Sequence, residues 1–168
     1  MKYELLKTEQ VEEGTVPTYT GDTPEKDSTD EFDYTFNNTW SPTPAAIYEA
    51  KDYTAQFNSS KRSYTITWLN DDNTVFDTTS VEYGTVPSHV GPTKSSTEEF
   101  DYSFSAWSPT PTAVTGIASY KATFSSTKRN YNISWDANGG TIDSSKQYTN
   151  GSTPYGTPIT APTISKNG

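Results

Sequence analysis

The sequence predicts a mainly β protein made of small tandem repeats, with little helix. Three observations carry that prediction. Blocks of residues recur in the same order, aromatic and β-branched residues alternate with polar ones at a period of two, and no stretch shows the apolar stripe of an amphipathic helix.

The recurrence is extensive. Gly14-Thr15-Val16-Pro17 returns as Gly84-Thr85-Val86-Pro87, and Glu31-Phe32-Asp33-Tyr34 as Glu99-Phe100-Asp101-Tyr102. Trp40-Ser41-Pro42-Thr43-Pro44 returns as Trp107-Ser108-Pro109-Thr110-Pro111, and Lys61-Arg62 before Tyr64 as Lys128-Arg129 before Tyr131. The spacing from Tyr64 to Tyr131 sets a period of about 67 residues. The expected domains are therefore 1–63, a first repeat lacking its N-terminal strand, 64–130, a complete repeat, and 131–168, a third repeat truncated in its C-terminal half. Ordered packing is expected to centre on Tyr64 to Asn130 and to weaken toward both ends.

Within the complete repeat, Tyr64, Ile66 and Trp68 alternate with Thr65 and Thr67, the pattern of a half-buried strand. Asn70-Asp71-Asp72-Asn73 is a turn, because Asn and Asp side chains bond their own backbone, and Thr74 to Val81 reads as a second strand completing a hairpin. The third repeat has Asn138-Gly139-Gly140 there, a stronger hairpin signal. Tyr83-Gly84-Thr85-Val86-Pro87 ends the extended run, since Pro donates nothing to a ladder. Pro92 to Glu99 is polar and holds a short helical turn at most. Phe100, Tyr102 and Phe104, running on to Trp107, form a third strand. Pro109 and Pro111 force a loop before a fourth strand at Tyr120, Ala122 and Phe124. Trp68, Phe104, Trp107, Tyr120 and Phe124 are the expected core. Six residues separate Phe124 from Tyr131 and Phe57 from Tyr64, too few for a flexible linker, so a stiff monomeric rod is expected.

Apolar residues make up 30% of the chain and aromatic residues 14%, which suits several small flat cores better than one large one. A net charge of −9 excludes a phosphate-binding surface of the nucleic-acid type and disfavours anionic membranes. With no cysteine there is no disulfide, thiol nucleophile or thiolate metal site. The opening Met1-Lys2-Tyr3-Glu4-Leu5-Leu6 carries no signal-peptide core, and no run approaches the ~18 apolar residues of a membrane helix. Any secretion signal or wall anchor is expected outside this chain.

Candidate chemistry is sparse. His89 is the single histidine, so any His-based triad must use it, and no two-histidine metal cluster is possible; it reads as a solvated loop residue. The carboxylate pairs Glu12-Glu13, Asp71-Asp72 and Glu98-Glu99 read as surface charge, because a glycosidase needs two carboxylates across a cleft. Asp71-Asp72-Asn73 lacks the spaced ligands of a calcium loop and reads as turn chemistry. Trp40 and Trp107 suit core packing better than sugar stacking. Asn37, Asn58, Asn132 and Asn150 lie in glycosylation sequons, here a consequence of Asn- and Ser-rich composition. No Lys–Asn isopeptide triplet is identifiable. The expectation is no catalytic, cofactor-binding or metal-binding residue, no cofactor and no enzymatic activity.

Tyr131-Asn132-Ile133-Ser134-Trp135-Asp136-Ala137-Asn138-Gly139-Gly140-Thr141 resembles the opening of the Listeria–Bacteroides repeats, relatives of the internalin B-repeat of bacterial surface proteins. Those repeats continue with an aromatic-Gly-x-x-Pro segment, at the place of Asn150-Gly151-Ser152-Thr153-Pro154. A Tyr-x-Phe-x-x-Trp strand follows, matched in the middle repeat by Tyr102-Ser103-Phe104-Ser105-Ala106-Trp107. This chain departs from them in Asn70-Asp71-Asp72-Asn73 and in a first-repeat strand, Tyr34 to Trp40, one residue longer. The resemblance implies a β-grasp-like fold and display on a bacterial surface or as a secreted protein. It implies a stalk or spacer role or, alternatively, an adhesion module binding host glycan or protein. Host or cell-wall partners would then engage other domains of the parent protein.

Overall fold

The computed structural model describes residues 4–165, so Met1, Lys2 and Tyr3 of the opening stretch lie outside the described residues. These residues form strands and no helix: β1 (Phe32–Ser41), β2 (Thr54–Lys61), β3 (Ser63–Leu69), β4 (Val75–Glu82), β5 (Phe100–Ser108), β6 (Ala118–Lys128), β7 (Asn130–Ile133), β8 (Thr141–Ile142), β9 (Gly151–Pro154) and β10 (Ile164–Ser165). One sheet has four strands in the order β4-β3-β6-β5, and three two-stranded sheets pair β1 with β2, β7 with β9 and β8 with β10. The chain divides into two compact units. The first takes in the chain up to Ile66, Thr78–Pro87 and Thr112–Ala118; the second takes in Thr67–Asp77, Ser88–Pro111 and the chain from Ser119.

In the first unit, β1 and β2 are antiparallel, with Phe32 opposite Lys61, Phe36 opposite Phe57 and Trp40 opposite Ala55. The register shifts between Phe36 and Trp40. The extra residue of the Tyr34 to Trp40 strand is absorbed there as a bulge, with Asn38 at φ 62°. Asn37 Oδ1 holds the bulge by accepting from the Thr39 N–H at 3.0 Å and the Thr39 hydroxyl at 2.5 Å. Phe36 and Trp40, four residues apart, remain on one face across the bulge, and the two rings meet edge to face at 5.6 Å.

The second unit repeats the device. β5 and β6 pair with Phe104 opposite Phe124 and Trp107 opposite Ala122, shifting between Phe104 and Ala106. In an unbroken strand Phe104 and Trp107 would face opposite ways. The bulge puts them on one face, their rings 5.2 Å apart. Trp68 is the centre of this unit's core, wholly buried and 4.7 Å from Trp107 and 5.3 Å from Tyr120.

The expected strands are present, and the period-two pattern of Tyr64 to Trp68 reproduces their burial: Ile66 and Trp68 face inward and Thr65 outward. Pro92 to Glu99 forms no helical turn. Its Thr97 N–H points forward to Phe100 O at 2.9 Å, opposite to a helical bond. Of the expected core, Trp68, Trp107 and Tyr120 are buried, but Phe104 and Phe124 are half-buried. Lys94 Nζ, 5.5 Å from the Phe124 ring centroid and 4.7 Å from that of Tyr102, covers this face with a polar chain. Ile66, Val114 and Ala122 are buried as well.

The third repeat departs from its expected form in two ways. Asn138-Gly139 does turn the chain, with φ values of 43° and 81° and Gly140 N–H on Ala137 O. The strand after the turn, β8, pairs with β10, while β7 pairs with β9 across a longer excursion. The counterpart of Tyr83-Gly84 is also not Asn150-Gly151. Tyr155 N–H bonds Arg129 O at 2.9 Å just as Tyr83 N–H bonds Arg62 O at 2.9 Å, so Tyr155-Gly156 fills the role. Gly84 and Gly156 share the left-handed backbone that this turn requires, at φ 82° and 78°.

Two stability outcomes follow from this packing. Trp107→Ala is expected to cost roughly 3–5 kcal/mol in equilibrium denaturation, and wild-type stability would remove Trp107 from the core. A Cβ added at Gly91 would overlap the Phe104 ring. Gly91→Ala should therefore cost about 1–3 kcal/mol by overpacking, although Gly91 has no left-handed φ.

Candidate functional site

His89 is the first residue to test for chemistry, and its place differs from the expected solvated loop. Its side chain is 19% exposed and its Nε2 lies 2.8 Å from Asp77 Oδ2. Nδ1 lies 2.7 Å from Val90 O. The ring stands 5.2 Å from Trp68 and edge-on to Phe76 at 5.4 Å, and the His89 carbonyl accepts from Trp107 Nε1 at 2.9 Å. Both ring nitrogens lie within hydrogen-bond distance of oxygens of this chain. The residue seals one side of the Trp68–Trp107 core. Tyr19 stands at the corresponding position of the first repeat, 4.9 Å from Trp40. Pro87-Ser88-His89-Val90-Gly91 has no periodicity that marks an inward residue, and Asp77 arrives from a separate strand, so the sequence held no signal for this contact.

Members of two of the three carboxylate pairs are held by other groups of the chain. Asp72 Oδ1 accepts from the Thr74 N–H at 3.0 Å and its hydroxyl at 2.6 Å, capping the turn before β4. Those two bonds, the hydroxyl's first, hold the Asp72 carboxyl below the usual aspartate range. Asp143 is lowered in the same way by the Ser145 hydroxyl and N–H. Asp71 pairs with Lys94, and this bond raises the lysine. Glu99 lies 3.6 Å from Lys128. Among the described residues no group of three or more His, Cys, Asp or Glu is placed to hold a metal ion. No helix among them is long and apolar enough to cross a membrane. Trp107 is buried in the core and Trp40 is half-buried.

The most developed polar constellation occurs twice, where one predicted repeat meets the next. In the first unit, Arg62 Nη1 donates to Thr29 O at 3.0 Å and Nε lies 3.5 Å from Asp33 Oδ1. The Arg62 N–H bonds Glu31 O at 2.9 Å, Arg62 O accepts from Tyr83 N–H at 2.9 Å, and the Tyr64 hydroxyl donates to Asp30 O at 2.6 Å. In the second unit, Arg129 Nη1 donates to Thr97 O at 2.9 Å and Nε lies 3.5 Å from Asp101 Oδ1. Arg129 N–H bonds Glu99 O at 2.8 Å, Arg129 O accepts from Tyr155 N–H at 2.9 Å, and the Tyr131 hydroxyl donates to Glu98 O at 2.7 Å. Each guanidinium also lies 5.4 Å from the centroid of the following tyrosine ring. Lys-Arg-x-Tyr was legible as a repeated motif, but its role as a clasp was not, because its acceptors are backbone carbonyls about 30 residues upstream.

No protein-family model matches the chain, and no curated protein does. Among solved structures it is similar to a chain described as "Streptococcal High Identity Repeats in Tandem (SHIRT) domains 3-4 from cell surface protein". The identity is 17%, the TM-score 0.36, and the match covers 71% of this chain and 81% of that one. The all-β fold described above rests on this chain's own strands and not on that likeness.

The capped aspartates set an acid response. Each is lowered below 3.8, so its contribution to stability is fully present above that value and lost as pH falls through the lowered one. Asp72→Asn and Asp143→Asn are expected to flatten the fall of melting temperature below pH 3.8 relative to wild type. An unchanged slope in both variants would show that the caps do not titrate in this way.

Proposed function

We propose that the chain is a non-catalytic stalk or spacer segment of a bacterial surface or secreted protein, with repeats 1–63, 64–130 and 131–168. The clasp made twice around Arg62 and Arg129 carries this reading. A spacer must join its units by ordered contacts, and each clasp satisfies an arginine, a tyrosine hydroxyl and several backbone groups at a short junction. Hydrogen bonds to charged groups at such a place contribute roughly 1.5–3 kcal/mol. The resemblance of Tyr131 to Thr141 to the Listeria–Bacteroides and internalin B-repeats supports the same role. A β-grasp-like unit is part of the proposal. It is supported by the complete repeat's sheet order, in which the first strand, β3, lies beside the last, β6.

The absence of cysteine makes site-specific spin labelling simple. Labels at Ser103→Cys and Ser152→Cys, on either side of the second clasp, should report a narrow distance distribution that broadens in Arg129→Ala. A distribution unchanged by that substitution would refute the clasp as the stiffening element. Specific binding of the chain on a host-glycan array would replace the spacer reading with the adhesion-module one.

A further inference from the structure

We propose that Ser88 to Gly91 is a strap over the core of the complete repeat, latched by a proton on His89 and released as pH rises. The latch stands whether or not the chain is a spacer. The strap lies directly on the aromatic core. The His89 carbonyl accepts from Trp107 Nε1 at 2.9 Å, and the His89 ring stands 5.2 Å from Trp68 of β3, 5.4 Å from Phe76 of β4 and 6.2 Å from Trp107 of β5. Gly91 passes so close to Phe104 that a Cβ there would overlap its ring. Lifting this segment would uncover Trp107 and Phe104.

Two polar contacts fasten the ring, and both are made to oxygens. Nε2 lies 2.8 Å from Asp77 Oδ2, and Nδ1 lies 2.7 Å from Val90 O. A carboxylate and a carbonyl only accept, and an imidazole presents two N–H donors only when it carries both protons. The imidazolium therefore satisfies both contacts at once. Either neutral tautomer has a single N–H, so loss of a proton sets a nitrogen lone pair against an oxygen lone pair at one of them. The surroundings favour the same form. Among the described residues Asp77, from β4, is the charged group in contact with the ring. β3 and β5 meet it with the tryptophans Trp68 and Trp107, whose faces attract a cation, and the strap itself meets it with a carbonyl. The direction follows: the strap is shut while the ring holds both protons. It opens as pH rises through the range in which histidine changes charge, between about pH 5 and 8. Val90 is 84% exposed, so its release has no packed side chain to undo. The chain has one histidine, and Tyr19 stands at the corresponding place of the first repeat, so the response belongs to the complete repeat.

Acrylamide quenching of tryptophan fluorescence between about pH 5 and 8 provides the test. In the wild-type chain quenching should increase toward the upper end of that range, as the strap uncovers Trp107. His89→Tyr installs the first repeat's own residue and should give quenching that does not vary with pH. Asp77→Asn keeps the histidine but supplies an amide that can accept from or donate to Nε2, so its quenching should also stay level. Nitrogen NMR of the single imidazole reads the latch without any substitution. Both ring nitrogens should be protonated at the lower end, and the change to a neutral ring should coincide with the rise in quenching. Wild-type quenching that is constant across the range overturns the proposal, as does an equal rise in His89→Tyr. A ring that is neutral while Trp107 is still protected overturns it as well.

Discussion

The structure of the complete repeat depends on one contact, the burial of Trp68 from β3 against Trp107 and Tyr120. A repeat of about 67 residues buries only about 60% of its unfolded surface and has little aliphatic filling, so a few aromatic rings must supply most of the apolar area. Trp68 can meet Trp107 only because a bulge at Ser105 returns Trp107 to the inner face of β5. His89 then closes the remaining side, its carbonyl on Trp107 Nε1 and its ring on Trp68. The same rule explains the weaker ends. Among the described residues β2 pairs with β1 alone, and Trp40 and Tyr53 are only half-covered.

The junctions solve a different problem. Around Arg62 and Arg129, segments about 30 residues apart in sequence are joined by hydrogen bonds. Arg62 and Arg129 are suited to it, because a guanidinium spans several acceptors at once while its stem and ring-facing plane rest on a tyrosine. Lys would keep the charge but lose the fork. The backbone of the same arginines ties the preceding loop to the following hairpin, which makes each junction continuous with the ladders on both sides.

Strand positions were legible to within a residue or two wherever alternation was strong, as in Tyr64 to Trp68 and Phe100 to Trp107. The third repeat was less legible. Its Gly151 matched a glycine motif by spacing, but the added residues between β8 and β9 moved the working turn to Tyr155-Gly156. Spacing counts residues, whereas the ladder counts paired backbone groups, and an excursion in one strand separates the two counts. His89 was misread for a related reason: its burial is produced by Phe76, Trp107 and Asp77, which no local window contains.

The sequence by itself determined the all-β class, the repeat and its period, and the alternating inward residues, because these depend on local periodicity and on matched blocks. Tertiary structure alone decided which strands neighbour one another, that β3 lies beside β6, and that Lys-Arg-x-Tyr acts as a clasp. Those outcomes depend on pairing between segments far apart in the chain, and on acceptors that are backbone carbonyls. Every residue carries such a carbonyl, so nothing in the letters marks the ones that are used.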